Sequence, residues 1–112
     1  MKIFAGDRLI ADNVERADSM FNRFKGFMFR THISQGEGLL IPRCNWIHTL
    51  FMMQKIDAVY LNKDGVVIDL ESEIRPWKFC KPRFKAKSTL ELCSGAINSN
   101  SLKIGEVLQC SA

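Results

Sequence analysis

The sequence has no CxxC pair, no phosphate-cradling glycine loop, no nucleophile-elbow serine and no motif of paired carboxylates. The first absence removes zinc ribbons and thioredoxin-type redox chemistry, and the others rank down nucleotide hydrolysis and serine-dependent acyl transfer. Long apolar runs are missing as well. The most apolar uncharged stretch is Cys44–Gln54, broken by Asn45, His48 and Thr49, whereas a membrane-crossing helix needs ~20 apolar residues. The start Met1–Ala5 meets Asp7 and Arg8 before the ~7–15 apolar residues of a secretory signal accumulate. No membrane span is expected, and the expected location is cytoplasmic. There Cys44, Cys80, Cys93 and Cys110 are expected as reduced thiols, not as two disulfides.

Repeats, low-complexity segments and Pro- or Gly/Ser-rich linkers are also absent, so the 112 residues read as one domain, 1–112. A hydrophobic content of 46% with a net charge of only +4 supports a folded core and argues against disorder. The charge is unevenly placed. Arg75, Lys78, Lys81, Arg83, Lys85 and Lys87 fall between Ile74 and Leu90 without an acidic residue.

Leu9–Val14 alternates loosely and reads as a strand pairing with Lys2–Ala5 across Gly6-Asp7. Asp18 or Ser19 suits a helix N-cap, and Met20, Phe21, Phe24, Phe27 and Met28 recur at helical spacing. That pattern predicts a helix over 18–30 packed through its apolar stripe. Gly26 inside it costs ~1 kcal/mol relative to Ala, which implies a close neighbour against the backbone. Gly38–Ile41, stopped by Pro42, then Trp46–Met53 and Ala58–Leu61 read as extended runs. The last of them turns at Asn62-Lys63-Asp64-Gly65 into Val66–Leu70. Pro76 and Pro82 make Ile74–Ala86 a loop, while Ser88–Leu92 and Leu102–Cys110 supply further strands. The expected fold is α+β and mainly β: a small bent antiparallel sheet or barrel of about seven strands with one packed helix.

Several segments together resemble a known family. Arg23-Phe24-Lys25-Gly26-Phe27-Met28-Phe29-Arg30 is similar to the Arg-x-x-Gly-Leu-Met-x-Arg helix of the family labelled domain of unknown function 192, also called uncharacterised protein family 0127. Gly38-Leu39-Leu40, Ile47-His48-Thr49-Leu50-Phe51-Met52, Ile56–Leu61, Pro76-Trp77, Leu90-Glu91-Leu92-x-x-Gly95 and Gly105-Glu106 follow in that family's order, covering roughly residues 9–110. The Ile-His-Thr-x-x-Met segment resembles one branch, the other carrying Phe-Trp-Met-Lys-Asn. Lys55, Lys78 and Cys93 depart from the pattern, standing where Pro, Arg and Pro are common. The resemblance implies a compact, mainly β fold with a packed helix, and no assigned activity. Many relatives look exported or lipid-anchored, and the leader they carry is not expected here.

The residues that core packing explains least, and that coincide with the family's distinctive segments, are His48, Thr49, Met52, Asp57 and the Pro76-Trp77 corner. They are the candidate ligand-binding residues. His48 suits a ligand, an acid/base group or a structural imidazole bonded to a backbone carbonyl. Asp57, inside an apolar strand, reads as a carboxylate accepting backbone N–H bonds from the Trp46–Met52 segment, with the Thr49 hydroxyl or His48 imidazole as second-choice donors. Cys44 lies four residues from His48, ~13 Å along an extended chain against the ~3 Å a nucleophile and its base require, so a thiol dyad is disfavoured. No metal set and no cofactor are expected. The six cations Arg75, Lys78, Lys81, Arg83, Lys85 and Lys87 interleave with Trp77, Phe79 and Phe84. Such a segment suits phosphate neutralisation with base stacking, or a solvated loop with snorkelling stems. The leading expectation is a non-enzymatic accessory or ligand-binding domain with a small-ligand or protein partner. Its rivals are an enzyme using His48 and Asp57 as acid/base pair, and a binder of nucleic acid or an anionic surface through Arg75–Lys87.

Overall fold

The computed structural model describes residues 1–111, apart from the side chain of Arg23. As expected, β1 (Lys2–Ala5) turns at Gly6-Asp7 into β2 (Arg8–Ala11), but the expected single strand Leu9–Val14 breaks at Asp12, and Asn13 and Val14 join the other sheet; β8 (Leu108–Ser111) adds to the other edge of β1, giving a three-stranded antiparallel sheet ordered β2-β1-β8. A second sheet is ordered β3-β4-β7-β5-β6, from β3 (Asn13–Arg16), β4 (Glu37–Pro42), β5 (Ile56–Leu61), β6 (Val67–Ile74) and β7 (Ser88–Cys93). Its pairs are antiparallel except β3–β4. A parallel pair needs a crossover, and residues 17–36 provide it, carrying α1 (Met20–Lys25). The protein is thus mainly β, with two sheets that do not close into a barrel. The turn between β5 and β6 falls where the sequence places it. Asn62 Oδ1 accepts from the N–H groups of Asp64 and Val66 at 2.9 and 3.0 Å, and Gly65 takes φ 80°.

Side chains alternate along a strand, so β5 and β7 feed two separate cores. Val59, Leu61, Leu90 and Leu92 pack toward Ile3 and Ile10 of the small sheet and toward Ile97 of α2 (Ala96–Ser99), a helix the sequence reading does not anticipate. On the opposite face Ala58, Tyr60 and Ile41 meet Phe27, Ile33, Ile47 and Met52, all four from irregular segments. Every residue of β5 is buried, and a nearly continuous apolar run is what a strand covered on both faces requires.

Three further details differ from the sequence reading. The helix ends at Lys25, and its stripe does not pack as a unit: Phe21 and Phe24 are 70% and 60% exposed, while the buried Phe27 and Met28 lie beyond it. The cause is Gly26, the C-cap at φ 52°, where a Cβ would stand 3.1 Å from Glu91 Oε1. The close neighbour expected at Gly26 exists, and it terminates the helix instead of packing against its middle. Trp46–Met53 is no regular strand, holding one isolated bridge between His48 and Phe79, with Phe51 at positive φ interrupting the extended path. The C-terminal strand is confined to Leu108–Ser111 because Gly105, at φ 99°, turns the chain just before it.

Candidate functional site

The loop-covered face of the large sheet is built by two segments zipped side by side. Thr49 N–H donates to Lys78 O at 2.7 Å, Trp77 N–H to Thr49 O at 2.8 Å, Cys80 N–H to Ile47 O at 3.0 Å, and Arg83 N–H to Asn45 O at 2.7 Å. Thr49 is the clasp of this ribbon: its fully buried hydroxyl donates to Arg75 O at 2.6 Å and accepts from Lys78 N–H at 2.8 Å. Met52 is a core residue. Pro76 is half-buried, and Trp77 is exposed at φ 67°, its ring 4.7 Å from that of Phe51.

His48 and Asp57 are not brought together. Leu50 N–H points at His48 Nδ1 at 3.2 Å, so Nδ1 accepts and the ring hydrogen sits on Nε2, which faces Phe24 O at 2.9 Å. Both nitrogens are satisfied by backbone groups, as for a structural imidazole. Asp57 is a carboxylate clamp, but its donors are not those expected from the Trp46–Met52 segment. Oδ1 accepts from Glu73 N–H at 2.8 Å and Oδ2 from Ile97 N–H at 2.9 Å. The reason is strand parity. Residue 57 shares the face of Val59 and Leu61, toward α2, whereas His48 lies on the other side of the sheet with Ile47 and Met52. Asp57 thereby fixes the positive-φ bulge at Glu73 and the start of α2.

A residue outside the candidate set occupies the chemically unusual position. Glu91, in the middle of β7, is 1% exposed, and its Oε1 has no hydrogen-bond partner. Burial pushes its carboxyl up to about 8, against which the Phe27 backbone N–H is the one favourable contact for the ionised form. Glu91 lines a cavity of about 360 Å³ together with Phe24, Trp46, His48, Cys44 and Arg43. Phe24 packs 4.7 Å from the His48 ring, and Trp46 lies 6.3 Å from it. The His48 ring is therefore a wall element holding two aromatic faces, and the Cys44 thiol donates to Trp46 O at 2.8 Å. Alternation in Ser88–Leu92 is legible in the sequence; that the polar face of this strand is roofed by loops is not.

The six cations of the basic segment divide by role. Arg83 is anchored: Nε donates to Asp69 Oδ2 at 2.8 Å, Nη2 pairs with Glu71 Oε1 at 3.0 Å, and the guanidinium sits 4.2 Å over the Tyr60 ring. Burial alone would raise the Asp69 carboxyl, but the Arg83 hydrogen bond and charge outweigh it and hold the group below its ordinary range. Next to this pair, burial and then the Glu71 charge push the Cys80 thiol up to about 11. Arg75, Lys78, Lys81, Lys85 and Lys87 stand exposed. Among the described residues no three His, Cys, Asp or Glu side chains gather closely enough to hold a metal ion, and no helix is long and apolar enough to cross a membrane.

Comparison with known proteins places this geometry in a family. The DUF192 model, described as an uncharacterized ACR, matches residues 2–110. A UPF0127 protein of Thermococcus sibiricus is 35% identical over 97 residues, covering 83% of this chain and 62% of that protein. One from Pyrococcus furiosus is 35% identical over 99 residues, covering 86% and 84%. The chain thus spans less than two thirds of the first relative. Among solved structures, a Sinorhizobium meliloti protein described as a "putative transcription regulator" superposes with TM-score 0.84 at 20% identity, covering 96% of this chain and 89% of that one. A Novosphingobium aromaticivorans protein of unknown function gives TM-score 0.77 at 20% identity, covering 87% and 74%. At such identities the structural likeness concerns the fold.

Proposed function

The chain belongs to the DUF192 family, and we propose that it is a small-ligand-binding domain whose site is the Glu91 cavity. The observation that carries this reading is Glu91 Oε1, a hydrogen-bonding atom without a partner on a side chain 1% exposed, beside a cavity of about 360 Å³. Leaving such an atom unmatched costs about 1–3 kcal/mol, which a ligand hydroxyl, carbonyl or amide recovers on binding. Phe24 and Trp46 supply apolar ring faces, and Arg43, Cys44 and Asn45 the polar rim. The volume falls near the lower end of the ~300–1,000 Å³ typical of small-molecule sites. The ligand is accordingly small, with a flat or aliphatic body and a polar end that pairs with a protonated carboxyl.

Of the candidate residues, His48 contributes to the cavity wall, while Thr49 and the Pro76-Trp77 corner support the ribbon behind it. The test is an NMR screen of monosaccharides, small amides and aromatic alcohols against the full chain. Resonances of Phe24, Trp46 and His48 should move together on binding, and Glu91→Leu should weaken that binding by about tenfold or more. Shifts that gather elsewhere, or ligands that bind Glu91→Leu equally well, overturn the reading.

A further inference from the structure

The ribbon that roofs the cavity carries a second, outward-facing pattern. Residues 43–55 contribute Arg43 and Lys55, and residues 75–87 contribute six cations, so these two segments hold 8 of the chain's 16 Lys and Arg and none of its 12 Asp and Glu, with Arg83 held by Asp69 and Glu71 of β6. Along it runs a row of exposed rings. Phe29, Phe51 and Trp77 are 63%, 44% and 61% exposed, with ring centroids 5.5 and 4.7 Å apart. Trp46 and Phe79, 6.3 Å apart, form a second ring pair beside His48 of the cavity wall and do not belong to this row.

The backbone beneath these rings is unusual. Phe29, Phe51 and Trp77 all take left-handed φ, at 66°, 61° and 67°, a conformation that bulky residues avoid. Solvation of an ordinary loop gives no reason to hold three aromatic side chains there, and strain of this kind gathers at binding surfaces. The strain is locked in by Thr49, whose carbonyl receives the Trp77 N–H at 2.8 Å, and by Phe29 N–H donating to Phe51 O at 2.9 Å.

From this juxtaposition of a preset ring row with an acid-free cationic ribbon, we infer that the outer face binds single-stranded nucleic acid, its bases stacking on Phe51 and Trp77 and its phosphates meeting Lys78, Lys81 and Lys85. Ring faces accept any base, and lysines on flexible stems neutralise the backbone without reading sequence. An acidic peptide would match the charge but not the stacked, solvent-facing rings. Duplex would match the phosphates but keep its base faces hidden. The site is separate from the Glu91 cavity and does not depend on a ligand there.

The experiment is fluorescence anisotropy of labelled oligothymidylate with the full chain at low salt, with the matching duplex and polyglutamate as competitors. Single strand should bind, and the duplex and polyglutamate should compete far more weakly. Trp77→Gly removes the ring while suiting φ 67°, so it should fold and yet weaken binding by about tenfold or more. Replacing Lys78, Lys81 and Lys85 by Ala should flatten the slope of log affinity against log salt by about 2. Equal competition by duplex or polyglutamate, an unchanged affinity in well-folded Trp77→Gly, or no binding of oligothymidylate overturns the inference.

Discussion

Glu91→Gln isolates the physical consequence of placing a carboxyl in the middle of β7. In the folded chain burial pushes this group up to about 8 from an ordinary 4.5, while in the unfolded chain it ionises normally. Between those two values the unfolded state gives up a proton that the folded state keeps. Folding stability must then fall as pH rises through that window and level off above about 8. At 1.36 kcal/mol per pH decade the full span is about 5 kcal/mol, a ceiling reached only if the cavity stays as dry as the fold makes it. Between pH 5 and pH 8 the expected loss is about 3 kcal/mol.

Glutamine keeps the shape and an acceptor for the Phe27 N–H but cannot ionise, so its cost or benefit is the same at every pH. The readout is therefore the difference between wild type and Glu91→Gln in urea melts at pH 5, 6, 7 and 8. Subtraction removes the contributions of groups common to both proteins. Glu37 and Asp69 are held below their ordinary ranges against the opposing effect of burial, by Arg30 and Arg83 respectively. Their stabilisation is present above the ordinary carboxylate range and is lost as pH falls through their lowered values. Cys80, pushed up by burial to about 11, acts only above its ordinary 9.0. Glu91→Gln should gain on wild type by about 3 kcal/mol from pH 5 to pH 8, a midpoint difference above about 1 M urea. Parallel stability curves for the two proteins would show that the carboxyl is hydrated or paired, and the cavity reading would lose its foundation.

Other substitutions test separate parts of the fold. Phe27→Ala should destabilise by about 3–5 kcal/mol because the ring is buried, whereas Phe24→Ala, 60% exposed, should cost under about 1 kcal/mol; reversed values in denaturant melts would restore a packed helical stripe. Asp57→Asn puts an NH₂ against either the Glu73 or the Ile97 N–H and should cost about 1–3 kcal/mol in the same assay, while an unchanged melt would mean the clamp is not formed. Gly26→Ala should cost at least about 1–2 kcal/mol, from its φ of 52° and the nearby Glu91 carboxyl, and a neutral result would contradict the close approach. Thiol counting after denaturation without reductant should find four, and two or none would overturn the reduced state.

What the sequence made legible, and what it hid, divide along one physical line. The β1–β2 turn, the β5–β6 hairpin and β7 were readable because turn residues and short-range alternation decide them within a few positions. Helix α1 was misjudged because its end is set by Glu91, sixty-five residues beyond Gly26, and no local propensity carries that information. The site was displaced for the same reason. Thr89 and Glu91 alternate with Leu90 and Leu92, a pattern indistinguishable from a strand with one wet face, yet both polar residues are at most 1% exposed. Period two reports which side of a strand a residue occupies and never whether that side is roofed. Once it is roofed, each polar group on it must find a partner. Thr89 does, donating to Cys44 O at 3.0 Å; Glu91 Oε1 does not. The same covering that made the strand look ordinary is what leaves that carboxyl unmatched beside the cavity, and the proposed ligand site is built on that mismatch.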